Sequence, residues 1–172
     1  MIIVGILGAG ETPAVAEIAR RAAGAGARVE LVGVLPGDSA SDTVLFDLAQ
    51  VGVGHATVVR SARASTEAAD LDLALRYLPE IRCVVLVAPP TRLLETAVGA
   101  ADYAGARLVV VGPLDAEALV ALESPIVLDP PAHDPDGTFA GFVAALAVRL
   151  DAGDPPEAAF RATVSSLAVD PA

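Results

Sequence analysis

The 172-residue chain contains no lysine and no tryptophan, one cysteine, one methionine and two histidines, and only 3% of it is aromatic. Without lysine there is no Walker phosphate-binding lysine, no Schiff-base chemistry and no lysine-dependent β-lactamase mechanism. One cysteine and two distant histidines, His55 and His133, cannot build a zinc site by themselves. Cys83 lies in "IRCVVLVAP", a run that reads as a buried strand and predicts a small core thiol. Positive charge is also scarce. The 11 basic residues are all arginines, scattered one or two at a time against 22 acids, for a net charge of -11. With no basic patch, neither nucleic acid nor an anionic membrane surface is an expected partner. No apolar run approaches the roughly 18 residues that cross a bilayer, and the N-terminus lacks a charged start and cleavage signal, so the expected location is the cytoplasm.

What the chain has is alanine, valine and a regular alternation. Apolar residues make up 54% of it. Continuous β-rich runs occur at Ile2 to Leu7, Arg28 to Leu35, His55 to Arg60, Cys83 to Val87, Arg107 to Val111 and Ile126 to Leu128. Such runs suit strands buried on both faces of a parallel sheet. Helical patterns lie between and after them: Pro13 to Ala23, Ser41 to Val51, Ala68 to Leu78, Thr91 to Tyr103, Ala116 to Leu122, Gly137 to Leu150 and Pro156 to Leu167. Repeated strand–helix units with short turns predict one α/β domain over residues 1–172. Its sheet is doubly wound and mostly parallel, in a three-layer core.

Ligands in such sheets bind outside the carboxyl ends of the strands. Gly8, Gly10 and Glu11 follow the first strand, and Asp38 and Asp42 follow the second. Strand, Gly8-x-Gly10 and helix come in the order of a dinucleotide-binding domain, with Glu30 at about the distance of its ribose-binding acid. Pro13, however, stands in place of the third glycine, so Gly8 and Gly10 read mainly as a tight turn. The most informative stretch is "LDPPAHDPDGTFAGF", from Leu128. Prolines stop a strand, acids crowd a loop, and Gly137-Thr138 opens an alanine-rich helix whose free amides and dipole can hold an anion. Asp134 and Asp136 read equally as caps of that helix. His133, between acids, is a candidate proton carrier. Ser165 and Ser166 lack a G-x-S-x-G elbow, which leaves a serine hydrolase unsupported.

Three stretches resemble the PfkB or ribokinase family of carbohydrate kinases. "GAGARVELVGVLPGDSASDTVLFDLAQVGV" is similar to the family's early strand and "VGxDxxGxxxxxxLxxxGV" helix. "DLDLALRYLPEIRCVVLVAPPTRLLETAVGAADYAGARLVVVGP" is similar to its middle segment, and "HDPDGTFAGFVAALAVRLDAGDPPEAAFRAT" to its C-terminal signature "DTxGAGDxFxGxFxxxLxxGxxxxxAxxxA". The resemblance implies a Rossmann-like core, transfer of a phosphoryl group from ATP to a sugar or similar alcohol, and Mg2+. It also implies an anion hole at Gly137 and Thr138, with Asp136 or Asp134 as the candidate base.

Departures from the family pattern matter as much. Gly137 occupies the place of the family's base aspartate, Pro135 removes an amide from the hole, and Val15 stands where a sugar-contacting asparagine is expected. Little chain lies between Gly10 and the first helix to form a sugar-covering lid. The expectation is a catalytically weak or inactive kinase homologue that binds a sugar, nucleotide or phosphate. The alternatives are a minimal ATP-dependent sugar or nucleoside kinase and, more distantly, a dinucleotide-binding domain. A sheet edge left bare by a missing lid predicts a homodimer.

Overall fold

A strand covered by helices on both faces must point apolar side chains both ways, which is why its sequence reads as an unbroken valine, isoleucine and leucine run. The computed structural model describes residues 1–6, 15–61, 67–78, 80–114 and 125–168. There the runs become β1 (Ile2–Ile6), β2 (Glu30–Leu35), β3 (Gly54–Arg60), β4 (Cys83–Val87), β5 (Arg107–Val111) and β6 (Ile126–Leu128). The helices are α1 (Val15–Gly24), α2 (Ser39–Gln50), α3 (Ala68–Tyr77), α4 (Thr91–Ala104), α5 (Thr138–Ala152) and α6 (Pro156–Ala168). All strand pairs are parallel, in the order β3-β2-β1-β4-β5-β6.

Period-two alternation sorts the strand side chains into two cores. Ile3, Leu31, Val85, Val109 and Val111 face α1, α5 and α6, meeting Ile18, Ala22, Val143, Leu146 and Ala159. Ile2, Val4, Val32, Val84, Leu86 and Val110 face α3 and α4, meeting Leu71, Leu75, Leu93 and Ala97. Alanine at many helix contacts keeps the layers close. Gly5 does the same for the sheet: a Cβ there would lie 2.5 Å from Val15 Cγ2 and 3.3 Å from Val87 Cβ, so a side chain would push α1 off β1.

Strands β4, β5 and β6 keep the boundaries that the sequence predicts. β2 starts two residues later than expected, because its ladder needs β1 as partner and Ile2 pairs with Glu30. Val29 is nevertheless buried. α2 starts earlier, since the Asp38 carboxylate accepts the Ser41 amide at 2.8 Å and fixes the cap there. The helix predicted at Ala116 to Leu122 lies outside the described residues. Among those described, no helix is long and apolar enough to cross a membrane.

Cys83 opens β4 as a fully buried free thiol. Burial, reinforced by the nearby Asp151 charge, pushes it up to about 12. At mildly alkaline pH the native chain is therefore expected to resist an aromatic disulfide reagent and to react stoichiometrically only in denaturant. Full labelling of the native chain would contradict this placement.

Candidate functional site

Strand order locates the carboxyl-edge crevice. From β1 the chain builds outward through β2 and β3 on one side, then returns to β4 on the other, so the crevice lies outside the ends of β1 and β4. The loop after β1, with Gly8, Gly10 and Glu11, lies outside the described residues. After β4, Ala88 takes φ 46°, the left-handed region that non-glycine residues seldom enter. Its amide donates to the Val111 carbonyl at 2.7 Å. Beside it, Gly112 at the end of β5 has φ 135°, and a Cβ there would lie 3.4 Å from Ala88 Cα. Strain of this kind concentrates at ligand-binding positions.

Glu30 stands at the wrong end for a ribose. It opens β2 opposite Ile2, on the amino edge, whereas Leu35 and Pro36 occupy the carboxyl end. The dinucleotide reading thereby loses its acid.

The Asp134-Pro135-Asp136-Gly137 stretch forms the turn its residues favour, with Asp first, Pro second and Gly fourth. The Gly137 amide closes it by donating to the Asp134 carbonyl at 3.1 Å. Gly137 takes φ 66° and caps α5. This turn carries the Asp134 side chain back over the first helical turn. Its Oδ1 accepts from the Phe139 amide and its Oδ2 from the Ala140 amide, each at 3.0 Å. Both carboxylate oxygens thus satisfy amides that a helix start leaves without partners. Thr138, the first residue of α5, is exposed, as is Asp136.

Asp136 is held through its backbone. Its carbonyl accepts from Arg21 Nη2 at 3.3 Å, across from α1. Glu17 fixes that arginine, accepting from Arg21 Nε at 2.6 Å and from Arg20 Nη2 at 2.6 Å. Two glycines make room for the guanidinium. A Cβ at Gly137 would lie 2.9 Å from Arg21 Nη2, and one at Gly141 3.0 Å from Arg21 Nη1.

The hydrogen bond from Arg20, followed by that from Arg21, lowers the Glu17 carboxyl below its ordinary 4.5 despite an opposing effect of burial. A depressed folded value adds stability above the unfolded value and loses it as pH falls through the folded one. Acidification through that lowered value is therefore expected to loosen the Arg21 contact with the Asp136 carbonyl, because protonated Glu17 no longer holds Arg21. Comparing unfolding midpoints of the parent and Glu17→Gln across that range checks this: the gap closes at low pH if the pair acts as described.

Of the amides expected to form an anion hole, that of Gly137 donates to the Asp134 carbonyl, and the Asp134 carboxylate takes the next two along the helix, those of Phe139 and Ala140. A phosphate at α5 has to displace the Asp134 carboxylate, which also repels it, and Pro135 offers no amide. Gly137 supplies no carboxylate at the base position. These residues do not fit the triphosphate of ATP at α5. Nor do the loop acids converge with others: no group of three or more His, Cys, Asp or Glu suited to a metal occurs among the described residues.

Asp38 and Asp42 form a separate cluster at the ends of β2 and β3. The Ser41 amide, then its hydroxyl, lowers the Asp38 carboxyl. Asp42 pairs with Arg60 of β3, whose Nη1 also donates to the Pro36 carbonyl at 2.9 Å. His133 is exposed, with its Nδ1 against the Ala132 carbonyl.

Sequence reasoning missed Glu17, Arg21 and Arg60. The E-x-x-R-R spacing signals ion pairs within α1. It carries no sign that Arg21 reaches a loop 115 residues away.

No protein-family model and no curated protein matches the chain. Solved structures do. The crystal structure of Sa239 superposes with a TM-score of 0.68 at 14% identity, over 99% of this chain and 94% of that one. Adenosine kinase from Sinorhizobium meliloti gives a TM-score of 0.57 at 12% identity, over 84% of this chain and 72% of the kinase. A PfkB family carbohydrate kinase from Listeria grayi gives 0.47 at 16% identity, over 70% of this chain, which spans 54% of that kinase. At these identities the likeness concerns the fold: a parallel six-stranded sheet between helices, ribokinase-like, as the sequence predicts.

Proposed function

We propose that the chain is a ribokinase-like homologue that binds a small sugar, nucleotide or phosphate ligand at the carboxyl edge of its sheet and transfers no phosphoryl group. The observation that carries this reading is Asp134, whose two oxygens occupy the Phe139 and Ala140 amides. Phosphoryl transfer depends on positioned donors and on a base at the attacking hydroxyl. Here the donors serve the helix itself, and the base position is a glycine. Ligand binding is supported separately, by the strained Ala88 at the end of β4, one of the two strands between which strand order reverses, with Gly112 of β5 beside it. Asp38, Asp42 and Arg60 add carboxylates and a guanidinium along the same edge.

Thermal unfolding tests the binding half of this reading. A ligand that binds only the native state stabilises it by about 2.7 kcal/mol at one hundred times its Kd. Ribose, adenosine, inorganic phosphate, ADP and ATP, each with and without Mg2+, form the panel. A rise in midpoint of several degrees with at least one of them is the expected result. No rise with any of them at millimolar concentration would refute ligand binding at this edge.

A further inference from the structure

We infer that the chain pairs with a second copy of itself through the outer edge of β3, across a two-fold axis at Val59. The two edges of the sheet are unlike. β6 has three residues, preceded by Pro125 and followed by Pro130 and Pro131, the short proline-flanked form that discourages strand addition. β3 has seven, with no proline and no lysine. Its register shift against β2 lies between Glu30 and Val32, so Thr57 to Arg60 pair regularly and leave a regular outer edge.

The outward backbone groups follow from the inward ones. Ser61 donates its amide to the Leu35 carbonyl, toward β2. Alternation along the strand then points the amides and carbonyls of Arg60 and Val58 away from the sheet. An antiparallel copy centred on Val59 sets Val58 against Arg60 of the second copy and Arg60 against its Val58. Each such pair exchanges two backbone hydrogen bonds.

Apolar side chains flank that centre on both faces. Val59 pairs with Val34 and shares the face of Val32, the α3 and α4 side, yet is 42% exposed. On the other face, Asp42, Phe46 and Ala49 recur at the spacing of one side of α2. Asp42 on that side reaches Arg60, so the side overlooks the β3 edge. Phe46, one turn further along, is 63% exposed. A two-fold at Val59 sets Val59 against its own copy and brings the two Phe46 rings toward the same axis.

Charge favours self-pairing here. The chain carries -11 overall, which opposes approach of two copies elsewhere. At this edge Arg60 is balanced by Asp42, and the two-fold brings a second such pair alongside, alternating in sign. An isologous contact needs this kind of self-complementary patch.

Sedimentation velocity of the full chain at tens of micromolar is expected to give twice the 17.3 kDa chain mass. Phe46→Glu and Val59→Glu, both at exposed positions, are expected to halve that mass with the circular dichroism spectrum unchanged. Val127→Glu on β6 should leave the dimer intact. A central antiparallel pair of this type holds its Cα atoms about 4.5 Å apart, within disulfide range. Val59→Cys should therefore cross-link under mild oxidation, while buried Cys83 stays reduced. A monomeric parent chain would overturn the proposal. So would a dimer that survives both glutamate substitutions, dissociates with Val127→Glu, or fails to cross-link through position 59.

Discussion

Replacing Asp134 by alanine is expected to destabilise the fold by about 2–3 kcal/mol, read as a fall in the denaturant midpoint at unchanged slope. An ordinary cap contributes about 1 kcal/mol. Asp134 contributes more because it is charged and accepts from two amides, those of Phe139 and Ala140. The Pro135 to Gly137 turn persists in the variant, so the two amides stay at the helix start without acceptors. Asp134→Asn, which keeps one carbonyl oxygen, should fall about midway. The same change unmasks the helix terminus, where amides and dipole attract anions. The alanine variant should therefore gain more stability from inorganic phosphate than the parent does. A loss within a few tenths of a kcal/mol, with no extra phosphate response, would mean that the carboxylate is not the cap.

Leu146→Ala is expected to cost about 2–5 kcal/mol, the range for deleting a buried leucine without collapse of the cavity. Leu146 is fully buried in α5, in the core shared by Ile3, Ile18, Val85 and Val109. Helices on one side and the sheet on the other leave little freedom to fill the space. Phe142, four residues earlier, serves as the internal comparison. It is half-buried and meets Phe160 of α6 edge to face, ring centroids 5.6 Å apart. Its truncation opens less of the interior and loses a ring pair of about 1 kcal/mol beyond its area. A greater loss for Phe142→Ala than for Leu146→Ala would place the stability of this layer in α6 rather than in the α1–α5 packing.

The architecture was legible where side-chain period alone decides it. Cys83 to Val87 and Arg107 to Val111 are continuous apolar runs, and a run that dense fits a central parallel strand. Strand order was not legible, because the same alternation of strands and helices is compatible with several orders. For Glu30 only a distance along the chain is readable in the sequence, while the ladder with Ile2 decides which edge it occupies. Asp134 was readable as a helix cap from its residue type. That it spans to Phe139 and Ala140, five and six residues on, depended on the turn that Pro135 and Gly137 build. Arg21 was beyond reach for another reason: its contact with the Asp136 carbonyl exists only once α1 and α5 pack side by side. Gly137 and Gly141 are then required for the space they leave the guanidinium, a need that a one-dimensional pattern does not express.

On the proposed reading, α5 begins with the Phe139 and Ala140 amides engaged by Asp134 and supports no phosphoryl transfer. The most direct measurement is ADP formation from ATP and Mg2+ with a panel of sugars and nucleosides, comparing the parent chain with Asp136→Asn and Asp134→Asn. No acceptor-dependent ADP is expected from any of the three. Acceptor-dependent turnover by the parent, abolished by Asp136→Asn, would contradict it and establish a working kinase whose base stands one residue before the expected position.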